Sequence, residues 1–555
     1  MDQSYKRLQN IWLYVLISIA VLINFSGLFI TIIGPDGTLY ASIAKTMVLK
    51  NNFIELFDHN KDWLDKPHFP FWVTAFSFKL FGISTWAYKL PGILFLMMGA
   101  VYTYNFAKNL YNIQTARWAV LILLTAQHIV LSNTDVRAEP YLTGLIIAAV
   151  FHLYVANKNN SYLNLVIGCV FSACAIMTKG MFALVPIAGA VAGHLVITKN
   201  WRQLLNIKWL FGFILILITI LPELYCLYYQ FDAHPEKLVF GNHGVSGIKF
   251  FFWDSQFGRF FNTGPIKGHG DPTFFVHTLL WAFLPWSILL FCAIYNYLKN
   301  GIKSIKTHEW YCVSGALLTF LLFSASKFQL PHYLNIVFPF FAIITSQYLN
   351  KNWMQKSVQR LKIIQIIVII LMLLIIVLLT YFFRPQALNW LNSCLLVLLL
   401  ILLIYLPNKL TNIRIEKIFV STLIASFMVN LYLNLVFYPS LMKYQAASEA
   451  AIWINKNNQK NLPVAEFEEQ YTSAFDFYIE KEPNKIEFTS NIKLPTKPFL
   501  LYAEEDVVNK LKSKGVHITK LKSFSRYWVS RLKPSFLNKQ TRGNELTTTQ
   551  VVLVN

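Results

Sequence analysis

The sequence predicts a polytopic all-α membrane protein of about thirteen transmembrane helices, followed by a small C-terminal α/β domain. Three observations predict it. Hydrophobic residues make up 55% of 555 residues against 14% charged, more apolar surface than a soluble protein of this size can absorb. Apolar runs long enough to cross a bilayer recur along the chain. Past residue 440 the composition turns polar and charged, with short runs of alternating character.

The expected spans fall at 11–33, 86–107, 117–133, 138–156, 162–178, 180–197, 209–229, 274–298, 309–325, 330–349, 360–383, 388–406 and 417–437. The first is longer than the apolar core of a signal peptide and has no small-residue cleavage site, so it reads as a retained helix. The run 68–82 is short and rich in Pro and Phe, as expected of an interfacial or re-entrant piece. In the tail, "PVAEFE", "PFLLYA" and "TTTQVVLVN" read as strands and "VVNKLKSKG" as a helix. The domains are therefore a membrane unit, 1–439, with outer loops 34–85 and 230–273, and a soluble unit, 440–555. The six cysteines lie within or beside apolar runs, without metal spacing or a disulfide framework.

The net charge of +22 is spread over short basic loops and forms no single patch, which argues against nucleic acid as a partner. With the N-terminus inside, "SYKR", "AKNLYNIQTAR", "ANKNN", "TKNWRQLLNIK", "LKNGIKSIKTHE", "NKNWMQKSVQRLK" and "NKLTNIRIEK" all become cytoplasmic. The outer segments are then 34–85, "SNTDVRAEP", "MTKG", 230–273, "SASKFQLPHY" and the tail. They carry carboxylates, histidines and isolated lysines that loop capping does not require.

Asp36 follows the first span inside "GPDG" and starts a new helical pattern, with Tyr40, Ile43, Ala44, Met47 and Val48 on one face. Such a helix is expected to lie along the membrane surface. Read alone, Asp36 is an N-cap. Asp65 and Lys66 precede Pro67, which biases Lys66 towards an extended conformation where a lysine can meet a phosphate at the membrane surface. Asp135, Arg137 and Glu139 alternate in "NTDVRAEPYLTG", on one face if that stretch is extended, and charges so close to an apolar run are expected to pair or to line a cavity. With Lys66, the residues Arg137, Lys179, Arg259, Lys267 and Lys327, together with Tyr333, make an outward set able to bind and neutralise a lipid-linked donor phosphate. His269 alone is a weak metal signal, since zinc takes three or four ligands.

These pieces together resemble the polyprenyl-phosphate-sugar glycosyltransferases of GT-C fold, the family of the aminoarabinose transferase and the protein O-mannosyltransferases. The matching stretches are "DGTLYASIAKTM", "DKPHFPFW", "DVRAEPYL", "MTKG", "HGDP" and "SKFQLPHYLNIVFP", in family order over roughly residues 30 to 340. The resemblance implies inverting transfer of a sugar from undecaprenyl phosphate, or a similar lipid, to a lipid A, glycan or protein acceptor outside the cytoplasmic membrane. It makes Asp36 the base or acceptor-orienting carboxylate and Lys66 the donor-phosphate ligand, with Glu139 or Asp135 positioning the reacting groups. It also implies a divalent metal, zinc or magnesium, at Asp65 and His269, and no nucleotide. Two positions depart from the family: Gly37 stands for its usual second acid, and Glu139 where Asp is common.

Elementary chemistry agrees with that expectation. A sugar joined through phosphate carries its own leaving group, so the enzyme needs a base for the acceptor and cations for the departing phosphate. No phosphate-cradling or dinucleotide motif is present. The competing class is a secondary transporter or lipid-linked substrate flippase, which calls for ionisable residues near the bilayer midplane and related halves. The expected helix interiors are almost free of charge, Glu223 excepted, and no half-to-half repeat is visible.

Overall fold

The computed structural model describes residues 3–303, 309–351, 354–467, 472–487 and 494–555. Residues 304–308 and 352–353 of two basic loops, and the last residue of the expected strand 463–468, lie outside the described residues. The chain opens with helices α1 (Gln3–Phe25) and α2 (Asp36–Leu49). A short hairpin, β1 (Phe57–Asp58) and β2 (Lys61–Asp62), and helix α3 (Phe69–Phe81) complete the first loop. Then come α4 (Thr85–Leu110), α5 (Ile113–Thr125), α6 (Gln127–Thr134), α7 (Glu139–Asn159) and α8 (Tyr162–Lys179).

Every expected apolar span contains helix, and the protein is a multi-pass membrane protein. By length and apolarity, seven helices among the described residues can cross a membrane unaided, or nine if each of two bent pairs is one span. The bends are 54° between α5 and α6 and 119° between Phe274–Ala282 and Ser287–Asn300. The remaining expected spans rest on shorter apolar helices, Ile11–Phe25, Met181–Ile197, Tyr311–Ala325 and Phe338–Leu349. α7 is the most enclosed of the long helices, 89% of its apolar window being buried.

The first span ends earlier than its hydropathy suggests. α1 stops at Phe25, and the apolar residues up to Ile33 form turns and extended chain. The ammonium of Lys89, buried in α4, donates to the carbonyls of Gly27 (3.0 Å) and Ile30 (2.6 Å). A cation there holds the turns that follow α1 by their carbonyls.

The tail folds into a five-stranded sheet of order β4-β3-β5-β7-β6, built from β3 (Val464–Phe467), β4 (Asn484–Ile486), β5 (Phe499–Glu504), β6 (Ile518–Arg526) and β7 (Thr547–Val554). β3 runs parallel to β4 and β5, and β7 lies antiparallel between β5 and β6. The expected helix is present as Glu505–Ser513. β6 was not expected: "ITKLKSFSR" has a largely exposed face rich in Lys and Ser, so its apolar signal is weak.

This sheet unit sits on the loop between α1 and α4. α2 is therefore not a free surface helix: Lys45, which lies off its apolar face, is buried, and its ammonium donates to the carbonyls of Asp476 (2.7 Å), Phe477 (3.1 Å) and Ile479 (2.5 Å). Gln445 accepts from the amide of Gly34 (2.8 Å), and Tyr478 accepts from the amide of Ile32 (2.8 Å). The backbone entering Asp36 is thus held from the tail.

Candidate active site

Three groups of charges gather at the end of the helices that carries α2 and α3. In the first, α2 begins at Asp36, but the carboxylate makes no capping bond. It accepts instead from Arg137 Nη1 at 2.5 Å, while Arg137 Nε and Nη2 reach Asp135 at 3.1 and 2.8 Å. The Asp36 side chain remains 44% exposed, so it keeps access to solvent that a buried structural carboxylate lacks. Arg137 is committed to two carboxylates, which leaves it a positioning group between α2 and the α6–α7 turn.

In the second group, Asp65 is ion-paired with Lys66 (2.6 Å) and with Arg259. Burial pushes the Asp65 carboxyl up, but the two cations outweigh it and hold its pKa at about 2. Burial lowers the Lys66 pKa below that of an ordinary lysine, and Asp65 only partly opposes this. The segment carrying the pair is anchored one residue past Pro67: the His68 amide and Nδ1 contact the Glu223 carboxylate at 2.9 and 3.0 Å, and Nε2 meets the carbonyl of Ile54 at 2.9 Å.

In the third, Glu139 opens α7 fully buried and pairs with Lys179, with His332 Nε2 3.7 Å away. The Lys179 ammonium also sits 3.7 Å over the Tyr333 ring. Lys179 is the last residue of α8, and Gly180 after it has φ +93°, a backbone that terminates the helix and that L side chains rarely adopt. Asp135, Arg137 and Glu139 do not share one face, because the helix restarts at Glu139 and turns that carboxylate towards α8.

The second and third groups border one cavity of about 930 Å³. Asp65, Lys66, Lys179, Arg259 and Tyr333 line it, while Phe250, Phe251, Phe260 and Leu227 supply apolar walls. Asp36, Asp135, Arg137 and Glu139 stand outside the lining, although the charge of Asp36 acts on Lys66. Lys267 and Lys327 are exposed and are not part of it.

The two residues expected to hold a metal, Asp65 and His269, stand in different surroundings. Gly268 and Gly270 press against the backbone of residues 326–328, where an added Cβ would lie 2.8 and 2.4 Å from the carbonyls of Lys327 and Ser326. His269 between them is exposed, as alternation along extended chain requires, and Asp65 is already engaged by two cations. Among the described residues, the one group of three His, Cys, Asp or Glu side chains with ligand atoms within 4.8 Å of one another is His59, Glu466 and Asp476. The sequence reading missed His68 and His332 although both sit inside quoted motifs. It noted Glu223 only as a stray charge, and a carboxylate inside an apolar run is the signal that marks it.

Residues 65–226 match the family model of the dolichyl-phosphate-mannose-protein mannosyltransferases. A protein of Aquifex aeolicus is 24% identical over 64% of this chain and 66% of its own length. The undecaprenyl phosphate-alpha-4-amino-4-deoxy-L-arabinose arabinosyl transferase of Edwardsiella ictaluri is 26% identical over 57% of this chain. The match spans 55% of that transferase, little more than half its length. The crystal structure of ArnT from Cupriavidus metallidurans bound to undecaprenyl phosphate superposes with a TM-score of 0.74 and 17% identity, covering 98% of each chain. The chain has the GT-C fold of the polyprenyl-phosphate-sugar glycosyltransferases, sheet domain included.

Proposed function

We propose that the protein is an inverting membrane glycosyltransferase that moves a sugar from an undecaprenyl-phosphate-like donor to a lipid A, glycan or protein acceptor. The observation that carries this reading is the cavity: apolar walls run up to Lys66, Lys179 and Arg259, with Asp65 paired to two of these cations and Glu223 the other lining carboxylate. A lipid phosphate is apolar along its chain and anionic at its head, and this lining matches both parts. The solved neighbour is described as bound to undecaprenyl phosphate, and the Edwardsiella relative is named for that donor.

In this mechanism the acceptor hydroxyl oxygen attacks the anomeric carbon from the face opposite the phosphate. The new C–O bond forms as the bond to the phosphate oxygen breaks, which inverts the centre. Asp36, charged, half exposed and held by Arg137, takes the hydroxyl proton. Lys66 and Arg259 receive the negative charge that grows on the departing phosphate, where a preorganised cation contributes most. Glu139 holds the Lys179 ammonium at the cavity edge. No step is assigned to a metal at Asp65 and His269.

The N-terminus is placed in the cytoplasm, with the cavity and the sheet domain on the outer face of the inner membrane. Reporter fusions after 205 are expected to read cytoplasmic, and after 250 and 500 external; opposite readings would invert the topology. The decisive assay is transfer from an undecaprenyl-phosphate-linked sugar by purified protein. Lys66→Ala is expected to lose at least about 10²-fold in kcat/KM while staying inserted and folded. Wild-type turnover would make Lys66 a surface cation unconnected with the donor.

A further inference from the structure

A second large cleft, of about 1170 Å³, lies at the other end of the molecule, among the helices Gln355–Leu378, Trp390–Leu410 and Arg414–Tyr432. Two of the basic loops meet there. Lys362, Arg414 and Lys417 line the cleft, and no carboxylate does. Lys417 donates to Asn408 (2.9 Å), whereas Lys362 and Arg414 form no ion pair among the described residues. The nearest acid in sequence, Glu416, is buried and bonded by the Thr411 hydroxyl (2.5 Å). Deeper in, Ile369 and Leu403 make the wall apolar. Gln365, 1% exposed, also lines the cleft, and its carbonyl oxygen has no hydrogen-bond partner.

We infer that this cleft binds an anionic phospholipid of the phosphatidylglycerol type from the leaflet that faces the basic loops. The two outer helices of the cleft have only 22% and 11% of their apolar windows buried in protein, so the cleft opens onto lipid and its occupant must carry acyl chains. Three cations without an acid select a negative head group over a zwitterionic one. A buried amide oxygen without a donor costs free energy until one arrives, and a head-group hydroxyl supplies that donor while the phosphate meets the cations. The site lies among different helices from the transfer cavity and does not depend on the transfer reaction.

The test is native mass spectrometry of the full-length protein in detergent with phosphatidylglycerol, phosphatidylcholine or inorganic phosphate. Phosphatidylglycerol is expected to be retained about 10-fold or more over phosphatidylcholine. Combined Lys362→Gln, Arg414→Gln and Lys417→Gln should bring the two lipids to parity. Leu403→Trp keeps all three charges and fills the apolar wall, and it should lower phosphatidylglycerol retention by itself; it decides the matter if the triple variant misfolds. Equal retention of both lipids by the wild type, a preference that survives the triple substitution, or retention unchanged in Leu403→Trp would each overturn the proposal. Inorganic phosphate displacing the lipid at matched concentration would leave a simple anion site and overturn it as well.

Discussion

Around the transfer cavity and at the seat of the sheet domain the protein buries two networks of similar make-up, and they end differently. At the domain seat, Lys485 pairs with Glu466 and lies 3.0 Å from Asp476, whose other oxygen is 3.6 Å from His59 Nδ1. Burial raises the Glu466 carboxyl above the ordinary carboxylate range. These charges come from β3, β4, the helix Ser473–Tyr478 and the β1–β2 turn, so the network fastens the tail to the first loop. At the cavity, Lys66, Arg259 and Lys179 are partnered on one side and face empty space on the other. Buried ions stabilise only when fully partnered, so a network left open on one side points to an anion that comes and goes.

The sharpest way to break this contrast is Asp36→Asn. It keeps the shape at the start of α2 and leaves Asp135 to hold Arg137, so the apparent melting temperature should barely move. If Asp36 takes the acceptor proton, transfer falls by about 10² to 10⁴. Retained transfer would return Asp36 to the structural side of the comparison.

The converse substitution is Lys485→Met, which leaves Glu466 buried beside Asp476 without its cation. A loss of about 3 kcal/mol is expected in the stability of the tail's attachment, read as a lower apparent melting temperature and earlier proteolysis. Transfer per folded molecule should stay within about twofold. A selective loss of kcat would mean that the domain seat communicates with the chemistry.

Rising pH separates the two networks more gently. The Lys66 pKa lies below its ordinary 10.5, so the free enzyme sheds that proton, and with it the charge that attracts phosphate, before a normal lysine would. The alkaline limb of kcat/KM, which reports the free enzyme, is therefore expected below pH 10.5. It should be absent from the residual activity of Lys66→Arg, whose guanidinium stays charged. The smallest effect belongs to Tyr478→Phe, which removes a hydroxyl bonded to the Ile32 amide and to Thr85 (2.9 Å). A cost of about 1 kcal/mol in stability with unchanged transfer is expected.

Most of the architecture is legible in the amino-acid sequence. Apolar spans announce themselves by length, because a bilayer core demands about twenty apolar residues per crossing. Strands β3, β5 and β7 announce themselves as short runs of apolar, aromatic or β-branched residues in polar surroundings. Asp65, Lys66, Lys179, Arg259 and Tyr333 were all named as one outward set, since isolated charges at the ends of apolar runs need a reason to be there. What the one-dimensional pattern could not carry was partnership. Nothing in "GPDG" says that Asp36 faces Arg137 and not its own helix amides, nor in "GHGDP" that two glycines dock the backbone and turn His269 outward.

The amino-acid sequence by itself therefore determined the membrane class, the helical segments, the soluble tail and the list of charges available for chemistry, because hydropathy and periodicity are properties of local stretches. Tertiary structure alone decided which charges meet. Ion pairing acts over a few ångströms between residues far apart in the chain, as between Asp36 and Arg137 or Asp65 and Arg259. Only the packing of helices and sheet sets those distances, and with them the difference between a fastener and a site.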